Sequence, residues 1–312
     1  MWFFYAWERV VRRRGDHAAS PQENRIKMAP ECTLQEMLSK FEVKKDDNGR
    51  YLAEALSGGR GVVDASQILA QSIVAATHEC PGMRVASVSM IFAKTMKEEG
   101  HVELQLDSIN IGRSFASFSV DAIQNGRCCA RGIMMLDTNE PDFVSHQINM
   151  PVVPSPEDSK AIEMPLEGRE LRLTEDLDLM FGKQAGPATL DIWARYASGS
   201  DNYAVNQALV AHLSNHFSIS TALRPHDQLC LAGAHRDFSA GVLSLAVTFH
   251  APADLNDWLL YSHKCTYAGR GVSFTRADVF TRAGQLIASF TQESMLRGMP
   301  QRDSARAGSA VL

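Results

Sequence analysis

The sequence repeats one pattern, a helix followed by alternating strands, and this duplication limits the folds open to the chain. Apolar side chains recur at helical spacing in residues 64–79 and again in 203–217, which predicts two helices that each bury one side. Asp64 precedes the first of these helices and is expected to cap it. Apolar and polar residues alternate between 101 and 123, and again between 242 and 281, as in antiparallel strands. Each half is therefore expected to lay a helix across an antiparallel sheet.

A turn glycine marks the same place in both halves. Gly126 lies in "AIQNGRCCA" and Gly284, 158 residues later, lies in "VFTRAGQLIA". Each glycine separates two apolar strand segments, and self-similarity at a fixed offset indicates two copies of one structural unit. Two such units can pair their sheets edge to edge. We therefore predict an α+β fold in which two helix-on-antiparallel-sheet repeats form one continuous sheet.

The stretch between the two halves is rich in proline and acidic residues, which is typical of connectors. We expect a first repeat over 32–140, a connector over 141–187 and a second repeat over 188–298. Residues 1–31 are expected to be a disordered N-terminal extension, and residues 299–312 a flexible tail.

Composition and charge argue against several classes of protein. The net charge of −5, from 36 acidic and 31 basic residues, argues against nucleic acid as a partner. The six cysteines form no CxxC pair, which indicates a reducing compartment. The apolar run at the N-terminus is shorter than the roughly 20 residues that span a bilayer, so no membrane span is predicted. The chain ends without an SKL-type peroxisomal signal, and we expect a cytoplasmic location.

The stretch "LVAHLSNHFSIS" (209–220) combines two histidines and an amide at the end of the second helix. His212 and His216 are four residues apart and share a helix face, with Asn215 close to it. The simplest interpretation is a pair of helix-surface histidines. A metal site would need a third ligand at a usual spacing, and no HExxH motif is present. We therefore expect no metal and no cofactor.

The second half carries motifs of a known family. Residues 249–297 contain "FHAP", "WLLYSH", "GRG" and "TQE" in order, and this stretch resembles the C-terminal half of the acyl-CoA thioesterase II family, which are double hot-dog thioesterases. In the first half, "ASQILAQSIVAA" is similar to the family's helix and retains Gln67 and Gln71. The family's Arg-Pro-Gly turn is replaced by "KTMKEE". The resemblance covers residues 32–298 and implies the double hot-dog fold.

The resemblance also implies hydrolysis of an acyl-CoA thioester, in which an Asp, a Thr and a Gln of the family hold a water against the thioester carbonyl. Carried over by position, Gln292 in "FTQE" is the family's Gln. Asn215 stands where the family has its Asp, and Val242 stands where it has its Thr. The resemblance therefore implies a site that has lost both its general base and its hydroxyl group.

Other residues offer replacements for the lost groups. Ser244 is two residues beyond Val242 on the same strand, so it is expected to face the same way about 6.7 Å further along. His216 offers an imidazole as a replacement base. The amide of Gln292 lies inside an apolar strand, where it costs energy unless hydrogen-bonded, and this favours a role in a site. The predicted catalytic residues are Gln292, Asn215, Ser244 and His216, and the predicted substrate-binding residues are Gln67, Val242 and His212.

The function implied by the resemblance is an acyl-CoA thioesterase of fatty acid metabolism, with its acyl chain in an apolar tunnel beside the helix at 203–217. Two alternatives stay open. One is an acyl-thioester-binding protein with impaired catalysis, and the other is a hot-dog enzyme acting on a biosynthetic, polyketide-like thioester. The expected partner is an acyl-CoA or an acyl-carrier thioester. Because hot-dog folds often pair their sheets further, a homo-oligomer is also expected.

Overall fold

The structure of the protein is a computed structural model, and it describes residues 32–56, 61–163, 166–182, 184–227 and 229–299. The predicted N-terminal extension, 1–31, lies outside the described residues. The predicted tail also lies outside them, apart from Met299.

The two predicted helices are present, and two shorter ones accompany them. They are α1 (Leu34–Phe41), α2 (Ala65–Glu79), α3 (Tyr203–Ser214) and α4 (Ser218–Leu223). Asp64 caps α2 as predicted, accepting a hydrogen bond from the backbone N–H of Ser66. The helices α2 and α3 pack against each other, so both are buried almost all round. No helix within the described ranges is long and apolar enough to cross a membrane.

Fifteen strands accompany the helices in the described part of the chain. They are β1 (Cys32–Thr33), β2 (Lys44–Lys45), β3 (Tyr51–Glu54), β4 (Arg84–Phe92), β5 (His101–Ile111), β6 (Phe115–Gln124), β7 (Arg127–Asp137), β8 (Lys160–Ile162), β9 (Leu166–Glu167), β10 (Arg169–Leu173), β11 (Thr189–Tyr196), β12 (Phe238–Phe249), β13 (Leu259–Gly269), β14 (Val272–Thr281) and β15 (Leu286–Gly298). Thirteen of them form one sheet, in the order β2-β3-β5-β6-β7-β4-β12-β15-β14-β13-β11-β10-β8.

The order of strands confirms the predicted duplication. In the first repeat the order β5-β6-β7-β4 follows α2, and in the second the order β13-β14-β15-β12 follows α3. The two copies meet where β4 pairs with β12 in antiparallel register, for example Val88 with Val247. This pair joins the two sheets edge to edge into one continuous sheet, which is the predicted double hot-dog α+β fold.

The two turn glycines occupy equivalent turns. Gly126 lies between β6 and β7 with φ of 70°, and Gly284 lies between β14 and β15 with φ of 87°. Both are in the left-handed region, which glycine enters without the steric cost that a Cβ would bring. The similarity between the sequences around these two glycines therefore reflects the same turn geometry in both repeats.

Part of the predicted connector belongs to the sheet. β10 pairs with β11, and β8 pairs with β10 at the outer edge of the second repeat. The alternation in "RELRL" (169–173) buries Leu171 and Leu173 and leaves Glu170 exposed. This five-residue strand has the period of two typical of a half-buried edge, although the prolines and acidic residues around it indicated a loop.

Candidate active site

The C-terminal end of α3 lies where the two repeats meet. Asn215 is the C-cap of α3, and its side chain is buried, as are those of His212 and His216. The helix-surface interpretation of the two histidines is wrong. α1 and α2 both pack over this region, and the ring of Phe41 in α1 lies 5.6 Å from the ring of His212 between centroids.

A hydrogen bond joins Asn215 to the first repeat. The Nδ2 of Asn215 donates to Oδ1 of Asp64 at 2.5 Å, and it lies 3.4 Å from Oγ of Ser66. The same Oδ1 atom accepts the capping hydrogen bond from the backbone N–H of Ser66 at 2.9 Å and a second from its hydroxyl at 2.8 Å. The N-terminus of α2 and the C-terminus of α3 therefore meet through one carboxylate and one amide. The Oδ1 atom of Asn215 is buried and has no hydrogen-bond partner.

Asp64 and Asn215 both line a pocket of about 490 Å³, a volume typical of small-molecule sites. Its other lining residues are mostly apolar and come from both repeats. They lie at 62, 63, 65, 92–96, 235, 240–243 and 295. The pocket therefore lies at the end of α3 and the start of α2, whereas the sequence placed an acyl tunnel beside α3.

Gln292 lies on β15, on the face of the sheet that the helices cover. Its side chain is fully buried, its Nε2 donates to Oγ of Ser294 at 2.8 Å, and its Oε1 has no partner. Thr275 is directly opposite on β14, and the Thr275 hydroxyl donates to the carbonyl of Ser218 at 3.2 Å. The start of α4, three residues beyond Asn215 in the chain, therefore lies over the part of the sheet that holds Gln292.

Val242 and Ser244 face opposite sides of the sheet. A β-bulge between them shifts the register, so that Val242 pairs with the buried Ser294 and Ser244 pairs with the exposed Glu293. The hydroxyl of Ser244 donates to the Glu293 carboxylate at 2.9 Å. Val242 lines the pocket, but the expectation that Ser244 faces the same way is wrong. The bulge inserts one residue and reverses the alternation of side chains.

The two histidines are held neutral in the protein interior. Burial lowers the pKa of His212 to about 4, against an opposing attraction from the nearby Asp64 carboxylate. Burial also lowers the pKa of His216 well below its usual value, and the neighbouring His212 lowers it further. The two rings are 5.0 Å apart between centroids, and neither histidine lines the pocket. Neither nitrogen of His216 has a hydrogen-bond partner.

Gln67 is the third residue of α2, and both ends of its side-chain amide are hydrogen-bonded within the first repeat. Its Oε1 accepts from the backbone N–H of Leu56 at 3.1 Å, and its Nε2 donates to the carbonyl of Glu54 at 2.8 Å. Gln71 donates to the same carbonyl. These two glutamines therefore tie the segment after β3 to α2, and Gln67 is not among the residues that line the pocket.

The sequence predicted Asp64 only as a helix cap. That capping is confirmed, but nothing in the sequence pairs position 64 with position 215, since the two residues are 151 apart in the chain. A carboxylate at the start of one helix becomes a site residue only when the second helix ends against it. Among the described residues, no three His, Cys, Asp or Glu side chains are grouped in a way that could hold a metal ion.

Two family models match most of the chain. The model of the acyl-CoA thioesterase N-terminal domain matches residues 57–136, and the model of the acyl-CoA thioesterase C-terminal domain matches residues 149–296. The chain is 24% identical over 286 residues to acyl-CoA thioesterase 2 of Haemophilus influenzae, covering 85% of this chain and 98% of that protein. It is 24% identical over 261 residues to human acyl-coenzyme A thioesterase 8, covering 75% of this chain and 80% of that protein.

Solved structures show the same fold. The tesB protein of Mycobacterium avium subspecies paratuberculosis superimposes with a TM-score of 0.72 at 22% identity. The acyl-CoA thioesterase II TesB2 of Mycobacterium marinum gives the same values. Each comparison covers 84% of this chain and 98% of the other. At this identity the likeness establishes the double hot-dog fold alone.

Proposed function

The chain belongs to the acyl-CoA thioesterase family, and from that premise we propose that it hydrolyses an acyl-CoA thioester to a free acid and CoA. One observation carries the proposal. A largely apolar pocket of about 490 Å³ ends against Asp64 and Asn215 at the junction of the two repeats. Apolar walls suit an acyl chain, and convergent polar groups suit the thioester carbonyl and an attacking water.

We assign two amide oxygens to that water; Asn215 lines the pocket, whereas Gln292 is buried in the sheet outside the lining. The Oδ1 of Asn215 and the Oε1 of Gln292 are both buried and have no hydrogen-bond partner. A buried acceptor without a donor is costly, and a water that donates one hydrogen to either oxygen keeps its second hydrogen for a base. Its lone pairs are then directed at the carbonyl carbon. The N-terminus of α2 lies at the pocket through Ala65, where the helix dipole favours the developing oxyanion.

The remaining predicted residues take lesser parts in this proposal. Val242 contributes an apolar wall, since it has no hydroxyl. His212 and His216 stay neutral and pack beneath the site. Ser244 does not contact the thioester in this proposal, because its side chain faces the other side of the sheet. The role in fatty acid metabolism and the cytoplasmic location stay predictions.

The first test is thiol release from acyl-CoAs of short to long chain. We expect release by the intact protein, and a rate at least tenfold lower in Gln292→Ala, because that variant loses an acceptor that positions water. Thr291→Ala is the matched control, because Thr291 immediately precedes Gln292 on β15 and its side chain points to the opposite face. An unchanged rate in Gln292→Ala would refute the role of Gln292. Binding of acyl-CoA without release would instead support the acyl-thioester-binding alternative.

We also propose that the protein forms a homo-oligomer through the outer face of its sheet. Ile91 on β4 is 63% exposed, and Ile133 and Met135 on the adjacent strand β7 are 61% and 40% exposed. An exposed apolar patch on neighbouring strands is typical of an interface. We expect the wild type to sediment as a dimer or larger, and Ile133→Lys to sediment as a monomer with unchanged secondary structure. A monomeric wild type would contradict this proposal.

A further inference from the structure

The proposed hydrolysis leaves one chemical role without a residue. Water attacks a thioester efficiently only when a group removes its proton, and a carboxamide cannot do so. Asn215 occupies the position at which the resemblance places a carboxylate. The residues that line the pocket must therefore supply a different base if hydrolysis is to be fast.

Asp64 is the one carboxylic acid among the described residues that line the pocket. Its Oδ1 atom lies 2.5 Å from Nδ2 of Asn215. The carboxylate is therefore within one hydrogen bond of the position that the resemblance assigns to a carboxylate, but it reaches that place from α2, in the other repeat. Two further donors from Ser66 orient it, so its geometry is set by the helix terminus and does not depend on a bound substrate.

We infer that Asp64 is the catalytic general base, so that the carboxylate of this active site has moved from the second repeat to the first. This inference rests on the proposed thioester hydrolysis. In that reaction the Asp64 carboxylate accepts a proton from water as the water oxygen bonds to the thioester carbonyl carbon. The tetrahedral intermediate then collapses, the carbon–sulfur bond breaks, and Asp64 returns the proton to the departing sulfur. The products are a carboxylic acid and a thiol, and no other reactant is consumed.

Asn215 acts as a positioning residue in this arrangement. Its Nδ2 donates to the carboxylate, and we assign its Oδ1, which is buried without a hydrogen-bond partner, to the proposed water. One amide therefore contacts both the base and the proposed water. An aspartate at 215 would instead place two carboxylates within hydrogen-bond distance, and like charges at that distance oppose each other.

Two imidazoles compete with Asp64 for the role. His216 is buried away from the pocket lining, and burial lowers its pKa well below the usual value, so it is a poor proton acceptor. His235 lines the same pocket, and its backbone is in the left-handed region, with φ of 60°. Comparing the activities of the variants Asp64→Asn and His235→Gln distinguishes the two residues.

The decisive variant is Asp64→Asn, measured beside wild type and His235→Gln. Asparagine caps a helix as well as aspartate does, so the fold of α2 is preserved while the carboxylate is lost. We expect kcat to fall about 100-fold or more, with KM nearly unchanged, because a positioned general base typically contributes that much. The thermal midpoint and the binding of a non-hydrolysable acyl-CoA thioether are expected to stay near wild type.

Returning the carboxylate to the second repeat completes the test. In the double variant Asp64→Asn with Asn215→Asp, the amide and the carboxylate exchange places, and the hydrogen bond between them persists with its direction reversed. We expect at least a tenfold recovery of kcat over Asp64→Asn alone.

The outcomes separate this inference from the proposed function. A wild type that hydrolyses acyl-CoA together with an equally active Asp64→Asn would overturn the inference alone. The same holds if His235→Gln abolishes activity and Asp64→Asn does not, or if Asp64→Asn loses binding of the thioether analogue as well. A wild type that releases no thiol from any acyl-CoA would overturn both.

Discussion

Below neutral pH the protein is expected to lose stability steeply, well before its carboxylates titrate. Between about pH 7.5 and about pH 5, the free energy of unfolding should fall by about 2 kcal/mol for each of His212 and His263. The pKa of each is lowered by burial, from 6.5 in the unfolded chain to about 4. His216 lies beside His212, and its pKa is lowered in the same direction.

The direction of this effect follows from proton binding. Between the folded pKa of about 4 and the unfolded value of 6.5, the unfolded chain binds protons that the native protein does not. Acid therefore favours the unfolded chain in this window, and the stabilisation that is complete above about pH 6.5 is lost progressively towards pH 4. The physical cause is desolvation, because burial penalises the charged imidazole more than the neutral one, and at His212 the nearby Asp64 carboxylate offsets only part of that penalty.

Urea unfolding followed by circular dichroism at both pH values measures the loss. His263→Gln is an informative variant, since the Nδ1 of His263 lies 3.2 Å from the carbonyl of Leu190 and a glutamine amide can donate to the same acceptor. We expect this variant to lose about 2 kcal/mol less than wild type over the same change of pH. Equal stability of the wild type at both pH values would show that these imidazoles are solvated or already charged.

The second large effect is expected at Gly132, in the strand pair beside the junction of the repeats. A Cβ atom at this position would lie 2.5 Å from Cγ of Met90 and 2.6 Å from the backbone carbonyl oxygen of Ser89. The side chain of Met90 can rotate, but the carbonyl belongs to β4 and can move only with the strand. Because β4 also pairs with β12, Gly132→Ala must displace a strand held on both edges.

We expect Gly132→Ala to lower the free energy of unfolding by about 3 kcal/mol, the upper part of the range for overpacked positions. The matched control is Gly241→Ala in β12, where a Cβ would meet its nearest atom at 3.9 Å, an ordinary contact. That variant should be neutral or slightly stabilising, because alanine restricts the unfolded chain. Urea unfolding at neutral pH distinguishes the two, and equal stability of the two variants would contradict the predicted clash.

Much of the fold can be read from local patterns in the sequence. The spacing of apolar residues predicted α2 and α3, and the alternation of residues predicted the long strands after each. Asp64 was predicted as a cap from its residue type and position alone. These features depend on neighbours within a few residues, so sequence reasoning reaches them. The short strand β10 was not predicted, because five alternating residues are a weak signal within a proline-rich stretch.

The candidate site was only partly predictable. Gln292 was expected at the site because a buried amide in an apolar strand requires partners; it lies beneath the start of α4 and outside the pocket lining, so its role stays a prediction. Ser244 was misplaced because a β-bulge is a single inserted residue with no signature in this strand. The two histidines were expected on a helix surface because the sequence does not show that α1 and α2 cover that face.

The repeat, its helices and the equivalent turns at Gly126 and Gly284 follow from the sequence alone, because periodicity and backbone conformation are local properties. The contact between the carboxylate of Asp64 and the amide of Asn215 arises only in the folded chain. That contact joins two elements whose separate sequences are compatible with many arrangements. Their meeting depends on how β4 pairs with β12 and how α2 packs on α3, and long-range packing sets both.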